Sequence, residues 1–129
     1  MSQNKSTKTT TDVRFGKETC FFPRKIGTQS GERRVDSWQE VEDCLWDMFT
    51  DEDEFVTLTL AEIHHNIRYV QACQFQEGIT VQLGVEEDDY TRLVEKTCSE
   101  AECMDIFREF YESSYVRDFE KYKPVEFFV

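Results

Sequence analysis

The sequence predicts an α+β fold in which an antiparallel sheet of about four to six strands carries two amphipathic helices on one face. Two segments, 37–50 and 99–112, place apolar residues at helical spacing. Between them, residues 55–97 form runs in which apolar and polar residues alternate, separated by short polar turns. Strands joined by short turns pair antiparallel, and two amphipathic helices need an apolar surface to cover. One sheet with both helices on its apolar face meets both requirements.

The chain of 129 residues suits a single domain, which we place at residues 12–129. Residues 1–11 are polar and rich in Lys and Thr, and we expect them to be disordered. Residues 19–22 are a candidate early strand, whereas the polar residues 27–34 are expected to form a loop. The sequence shows neither a membrane-spanning apolar run nor the apolar region of a signal peptide, so we expect a cytoplasmic protein.

Both helices begin with a sequence that is typical of a helix N-terminus. Residues 37–40 (Ser-Trp-Gln-Glu) and 99–102 (Ser-Glu-Ala-Glu) fit the capping box, in which the Ser hydroxyl accepts a hydrogen bond from a first-turn N–H and the Glu carboxylate reaches back to the N-cap N–H. The acidic run at residues 51–54 is expected to end the first helix, because negative charge opposes the helix dipole at a C-terminus. The apolar positions of the two helices are Trp38, Val41, Leu45, Met48, Phe49, Cys103, Met104, Ile106, Phe107, Phe110 and Tyr111.

The middle of the chain predicts a meander of antiparallel strands. The expected strands are residues 55–61, 67–76, 79–86 and 90–97, with a final edge strand at 124–129. Polar residues and Gly78 predict turns at 64–66, 76–78 and 86–89. In the second strand we expect the odd-numbered residues from Ile67 to Phe75 on one face, with Val70 and Ala72 on the other. An edge strand permits pairing between copies, so we expect a monomer or a weak homodimer.

The chain is strongly acidic. It has 27 Asp and Glu residues against 15 Lys and Arg, which gives a formal net charge of -12. Eight basic and three acidic residues fall within residues 1–34, so the acidity belongs to the rest of the chain. This balance argues against a nucleic-acid-binding protein with a broad basic face. It also exceeds the magnitude of about 2–8 that suits a soluble small domain, and such a surface attracts basic partners.

The sequence carries no recognisable catalytic motif. His64 and His65 are adjacent, and neighbouring residues of an extended strand point to opposite faces, so a shared metal is not expected. The five cysteines include no CxxC pair, and we expect reduced thiols that act mostly as small core residues. Neither a Gly-rich phosphate-binding loop nor a GxSxG turn occurs. We therefore predict no catalytic residue, no metal and no cofactor.

Acidic residues of the first helix, of the run after it and of the turn at 86–89 are the candidate contacts with a basic partner. An aromatic residue beside them could anchor the interface, because binding energy concentrates in a few Trp, Tyr and Arg residues. These candidates are Asp43, Asp47, Asp51, Asp53, Glu86, Asp88, Asp89 and Tyr90. Carboxylates that occupy the place of phosphates can block a basic active site such as that of a nuclease.

The chain resembles the small acidic immunity proteins of bacterial polymorphic-toxin and contact-dependent growth-inhibition systems. The resemblance covers residues 37–112 and rests on the first capping box, the strand Phe-Val-Thr-Leu-Thr-Leu from residue 55, and Arg-Tyr-Val-Gln-Ala from residue 68. The turn at Gly78, the next strand and the late helix complete it. It implies a cytoplasmic, non-enzymatic protein that binds one cognate toxin domain and covers its active site.

Two other functions remain open from the sequence. A small-molecule-binding or enzymatic α+β domain would hold its pocket between the sheet and the helices. Its first candidate residues are His64, Tyr69, Gln71 and Cys73. An acidic DNA-mimic regulator would share the acidic surface, but it would bind several basic partners rather than one.

Overall fold

An antiparallel sheet of seven strands forms the centre of the computed structural model, which describes residues 24–50, 55–75 and 78–125. The strands are β1 (Arg24–Thr28), β2 (Gly31–Val35), β3 (Phe55–Leu60), β4 (Ile67–Phe75), β5 (Gly78–Glu86), β6 (Thr91–Cys98) and β7 (Lys123–Pro124). Their order across the sheet is β2-β1-β3-β4-β5-β6-β7. The helices are α1 (Trp38–Thr50) and α2 (Glu100–Ser113), and a short 3₁₀ helix lies at Phe119–Lys121.

Both helices cover the same face of the sheet, as the sequence predicts. Leu58, Val70 and Leu83 are cross-strand neighbours on β3, β4 and β5, and all three are fully buried. They join Leu45 of α1 and Phe107 of α2 in one continuous apolar cluster. The amphipathic period of the helices and the alternation of the strands therefore meet in a single core.

The other face of the sheet has no helix on it among the described residues. Thr57, Gln71 and Gln82 are cross-strand neighbours there, and each is half-buried. The Thr57 hydroxyl donates to Gln71 Oε1 at 2.8 Å. Gln82 Nε2 donates to Glu95 Oε1 at 3.2 Å on the next strand. We call this polar surface the uncovered face.

The loop expected at residues 27–34 is wrong, since the structure has the β1–β2 hairpin there. Thr28 pairs with Gly31, which leaves Gln29 and Ser30 as a two-residue connection. Gly31 has a φ of 121°, a conformation that glycine adopts without strain. The strand was missed because β2 is an edge strand in which four of the five residues are exposed and three are charged, which removes the apolar alternation on which strand prediction depends.

Among the described residues the sheet therefore has seven strands, one more than the upper limit of the expected four to six. The last strand begins one residue earlier than predicted, because β7 covers Lys123 and Pro124 opposite Glu95 and Val94 of β6. The rest of the prediction for 124–129 lies largely outside the described residues, as do the disordered segment at 1–11 and the early strand at 19–22.

The predicted face pattern of β4 holds from Tyr69 onward and is wrong for Ile67. Val70 and Ala72 are fully buried, while Tyr69 and Gln71 lie half-buried on the uncovered face. Ile67 is also fully buried, because the pairing with β5 shifts register between Ile67 and Tyr69. An extra residue in one strand moves everything before it to the opposite face.

The long strands give the domain two ends. At one end β4 is followed by β5, where Phe75 pairs with Gly78, and we call this the β4–β5 end. At the other end Glu86 N donates to Asn66 O, and we call this the β5–β6 end because β6 begins there. The nine residues of β4 separate the two ends by about 26 Å.

Candidate functional site

The outer side of α1 presents an aromatic residue between two carboxylates. The buried residues Val41, Leu45 and Met48 fix the inward side of the helix. Asp43, Trp46 and Asp47 therefore point to solvent, since they lie on the opposite side of a helix with 3.6 residues per turn. We call these three residues the α1 patch.

Trp46 is the centre of the α1 patch. Its side chain is 51% exposed, which is unusual for the largest aromatic residue in a helix that packs on a sheet. Its ring meets the edge of the Phe49 ring at 5.4 Å between centroids and 90° between planes. The contact gives the indole a defined position without burying it, so that a second protein can cover it.

The charged residues of the helix that carries Trp46 are all acidic. Helix α1 contains Glu40, Glu42, Asp43 and Asp47 and no Lys or Arg. Glu40 forms an ion pair with Arg33 at 2.6 Å, whereas the other three carboxylates have no basic partner among the described residues. Asp43 accepts a hydrogen bond from the Gln39 amide at 2.9 Å, which leaves its charge uncompensated. The α1 patch thus carries a net negative field.

A groove of about 420 Å³ runs beside the α1 patch, between α1 and the β1–β2 hairpin. Asp47 and Thr50 form its helical wall, and Gly31 and Arg33 lie on the hairpin side. Cys44 lines it too, and burial raises the pKa of this thiol despite a 3.7 Å hydrogen bond from Arg33. The groove extends from Asp47 toward β2, the outermost strand among the described residues on that side of the sheet.

The turn between β5 and β6 is the second place where candidate residues meet. Tyr90 is 62% exposed, and Asp88 and Asp89 are exposed with no basic partner among the described residues. Glu86 differs, because Arg68 donates to both of its oxygens at 3.2 Å. Arg92 Nε donates to one oxygen of Glu87 at 2.8 Å. We call Asp88, Asp89 and Tyr90 the β5–β6 turn.

The ion pair with Arg68 changes the acidity of Glu86. Hydrogen bonds from Arg68 and from the Thr91 hydroxyl, the latter at 2.5 Å, stabilise the ionised carboxylate and lower its pKa. The side chain therefore helps to close the hairpin, and its charge is compensated from within the chain. The ion pair with Arg68 therefore gives Glu86 a structural role at the end of β5.

The structure separates the predicted contact residues into two groups. Gln74 Nε2 donates to Phe49 O at 3.3 Å, which places the C-terminal part of α1 at the β4–β5 end. Asp88, Asp89 and Tyr90 lie at the β5–β6 end instead. Asp51 and Asp53, which the sequence adds to the first group, lie outside the described residues.

The candidates for a small-molecule pocket do not face the space between sheet and helices. Apolar side chains fill that space, and Tyr69, Gln71 and Cys73 lie on the uncovered face. There a groove of about 330 Å³ is lined by Tyr69, Gln71 and Thr57. Burial raises the pKa values of Tyr69 and Cys73. His64 is apart from them, in the connection before β4, 3.8 Å from Glu62.

Trp46 is not among the contact residues predicted from the sequence, although a signal for it is present there. The apolar stripe of α1 uses Leu45 and Met48, and Trp46 falls outside that stripe, next to Asp47 and one turn after Asp43. A large aromatic residue on the polar side of an amphipathic helix does not serve the packing of that helix on the sheet.

Comparison with protein-family models, with curated proteins and with solved structures found no match. Within the described ranges no three His, Cys, Asp or Glu side chains come together in a way that could hold a metal ion. Neither of the two described helices has the length and apolar character to cross a membrane. The α1 patch is the surface on which we base the proposed function.

Proposed function

We propose that this protein is an immunity protein, which binds a cognate bacterial toxin domain in the cytoplasm and neutralises it by covering a basic active-site surface. The α1 patch is the observation that carries the proposal. It combines an exposed Trp with two uncompensated carboxylates on a helix that the core holds in place. The protein needs no catalytic group for this task, since covering the active site is sufficient.

The composition of the α1 patch supports a protein partner of basic character. Trp is among the residues that most often dominate the energy of an interface, with a rim of polar groups that excludes water. Asp43 and Asp47 on either side of Trp46 complement Lys and Arg side chains and accelerate their approach. An active site that attracts phosphate groups, such as that of a nuclease, presents this kind of basic surface.

We favour the α1 patch over the β5–β6 turn as the centre of the interface. Arg68 and Arg92 compensate Glu86 and Glu87, the two carboxylates that directly precede the turn, which reduces the negative field around it. The α1 patch has no such compensation beyond Arg33, which is engaged by Glu40. A helix on a packed core is also more rigid than a hairpin tip, so that binding costs less conformational entropy.

A growth-rescue experiment tests the function. The C-terminal domain of the reading frame immediately upstream is expressed in a bacterial host with and without this protein. We expect the domain alone to stop growth, this protein to restore it, and the two chains to co-elute in gel filtration. Toxicity without rescue, or no toxicity, would contradict the proposal. Equal binding to several unrelated basic proteins would instead support the DNA-mimic alternative.

Two matched variants then test the surface. Trp46→Ala should weaken binding by about 2 kcal/mol or more, roughly 30-fold, and abolish rescue at low expression. Tyr90→Ala removes an aromatic residue of similar exposure at the other end of the domain and should preserve rescue. Thermal unfolding should show that neither variant is destabilised by more than about 1 kcal/mol. Loss of rescue by Tyr90→Ala alone would keep the function and move the interface to the β5–β6 turn.

A further inference from the structure

Two cysteines lie on either side of the N-cap where β6 leads into α2. Ser99 is the N-cap of α2, with extended backbone, and its hydroxyl accepts a hydrogen bond from Glu102 N at 3.1 Å. Cys98 directly precedes this cap and Cys103 follows in the first turn, where its N–H donates to Ser99 O at 2.9 Å. Residues at these two positions commonly pack together as the hydrophobic staple of a helix N-terminus. In this chain both members of the staple are thiols.

The two thiols differ in their access to solvent. Cys103 is fully buried in the apolar core, whereas Cys98 is half-buried at its edge. Both are free thiols. Each thiol changes the acidity of the other, and Lys96 and Tyr122 are their neighbours on the strand and on the C-terminal segment. A reagent from solvent therefore reaches Cys98 before it reaches Cys103.

We propose that Cys98 and Cys103 form an oxidation site, at which a hydroperoxide converts the two thiols to an intramolecular disulfide that closes the N-terminus of α2. Cys98 is the residue that reacts with the peroxide, and Cys103 resolves the product. Disulfides in reducing compartments are commonly transient and redox-sensing, which fits a pair at the edge of the core rather than in an inert interior.

The chemistry needs only the peroxide as a two-electron oxidant. The Cys98 thiolate attacks one oxygen of the hydroperoxide, the O–O bond breaks, and the alkoxide or hydroxide that leaves takes up a proton. The Cys98 sulfenic acid is then attacked by the Cys103 sulfur. An S–S bond forms, the S–O bond breaks, and the hydroxyl leaves as water with the proton of Cys103. Two thiols are oxidised and one peroxide is reduced.

The acidities of the thiols favour Cys98 as the residue that reacts first. The hydrogen bond from Cys103 lowers the pKa of Cys98, and the Lys96 ammonium acts in the same direction. The same hydrogen bond and burial raise the pKa of Cys103 far above its ordinary value. The thiolate is the reactive form of cysteine, so the reaction with peroxide is directed to the more accessible sulfur.

Two variants of the full chain, each with two cysteines, test the proposal. The first carries Cys20→Ser, Cys44→Ser and Cys73→Ser and keeps the proposed pair. The control carries Cys20→Ser, Cys98→Ser and Cys103→Ser. Its remaining thiols lie on α1 and on the uncovered face, on opposite sides of the sheet. Both are treated with hydrogen peroxide, and intact mass and the number of alkylated cysteines are measured after denaturation.

We expect the mass of the first variant to fall by that of two hydrogen atoms, and both of its cysteines to become resistant to alkylation. Dithiothreitol should restore the original mass and both alkylation sites. The control should form no intramolecular disulfide under the same conditions. Peptide mapping of the oxidised wild-type chain, which does not depend on the stability of any variant, should show the same linkage. Oxidation of Cys98 to a sulfinic acid with Cys103 still alkylated, or equal disulfide formation in the control, would overturn the proposal.

Discussion

At the scale of single residues, the contact between Tyr69 and Gly84 shows how the uncovered face accommodates a large ring. The two residues are cross-strand neighbours on β4 and β5. A Cβ atom at position 84 would lie 2.3 Å from Tyr69 Cε2 and 2.8 Å from two further ring atoms. The ring therefore lies directly on the backbone of Gly84, and the absence of a side chain there, rather than a special φ, is what this position requires.

Gly84→Ala should destabilise the fold by about 1–3 kcal/mol, because the new methyl group forces the Tyr69 ring from its place. Urea unfolding measures the effect. Gly27→Ala is the matched control, since a Cβ there would meet its nearest neighbour, Glu32 Cγ, at an ordinary 3.5 Å. The control should change stability by no more than about 0.5 kcal/mol. In a Tyr69→Ala background Gly84→Ala should become nearly neutral. An undiminished cost there would show that the ring is not the cause.

At the scale of elements, the helix N-termini were predicted well because their signals are local in sequence. The Ser99 hydroxyl caps α2 as expected. At α1 the Glu of the box reaches one residue further back than the motif prescribes, since Glu40 Oε2 accepts from Asp36 N at 3.1 Å and from the Ser37 hydroxyl at 3.3 Å. The β1–β2 hairpin had no comparable signal, because its edge strand is charged and its role depends on pairing with a distant strand.

Ser99→Ala should cost about 1 kcal/mol of stability, because the N–H of Glu102 loses its acceptor. Ser113→Ala, at the other end of the same helix, provides the comparison. Its hydroxyl donates to Glu109 O at 2.7 Å on an exposed surface, and alanine is the better helix former. We expect that variant to be neutral or slightly stabilising in thermal unfolding. Equal losses in both variants would argue against a capping role for Ser99.

Two contacts at the junction of β2 and α1 predict that the pKa of Glu40 lies below the ordinary value of a glutamate. The Asp36 N–H and the Arg33 guanidinium, the latter at 2.6 Å, stabilise the carboxylate and lower its pKa. Because the folded pKa is depressed, the stabilising effect is present above the unfolded value of about 4.3 and is lost as the pH falls through the folded pKa. In an NMR titration Arg33→Met should raise the pKa of Glu40 only part of the way, since the Asp36 N–H remains.

A crossed control makes this titration specific. Arg68→Met should raise the pKa of Glu86, whose main partner is Arg68, and leave that of Glu40 unchanged. Arg33→Met should do the reverse. A parallel shift of both carboxyl groups in either variant would point to the overall charge of the chain instead of the two local contacts.

At the scale of the whole molecule, the sequence predicts the layers of the fold but not the arrangement of its surface. Periodicity predicted α1, α2 and the strands of the meander, because burial imposes a period on each segment separately. The distance between Asp47 and Asp89 depends instead on the direction of every strand between them. No local pattern in the sequence encodes this distance. The predicted contact surface therefore combined residues that the sheet holds toward opposite ends.

This separation allows the local charge of the α1 patch to be distinguished from the charge of the whole chain. Each Asp→Lys substitution adds two positive charges, so Asp43→Lys/Asp47→Lys and Asp88→Lys/Asp89→Lys both raise the net charge from -12 to -8. The two variants carry the same total charge and differ only in where it changes. At about 0.15 M salt the Debye length is about 8 Å, much shorter than β4, so each surface acts on its own surroundings.

The association rate with the toxin domain from the rescue experiment should therefore respond to position rather than to total charge. Stopped-flow measurements at several salt concentrations should show that Asp43→Lys/Asp47→Lys slows association about tenfold or more, because steering by the patch is lost. The same variant should flatten the dependence of the rate on salt. Asp88→Lys/Asp89→Lys should retain most of the rate and of its salt dependence. Equal slowing by both variants would mean that the partner responds to the summed field of the molecule, and the α1 patch would lose its status as the point of contact.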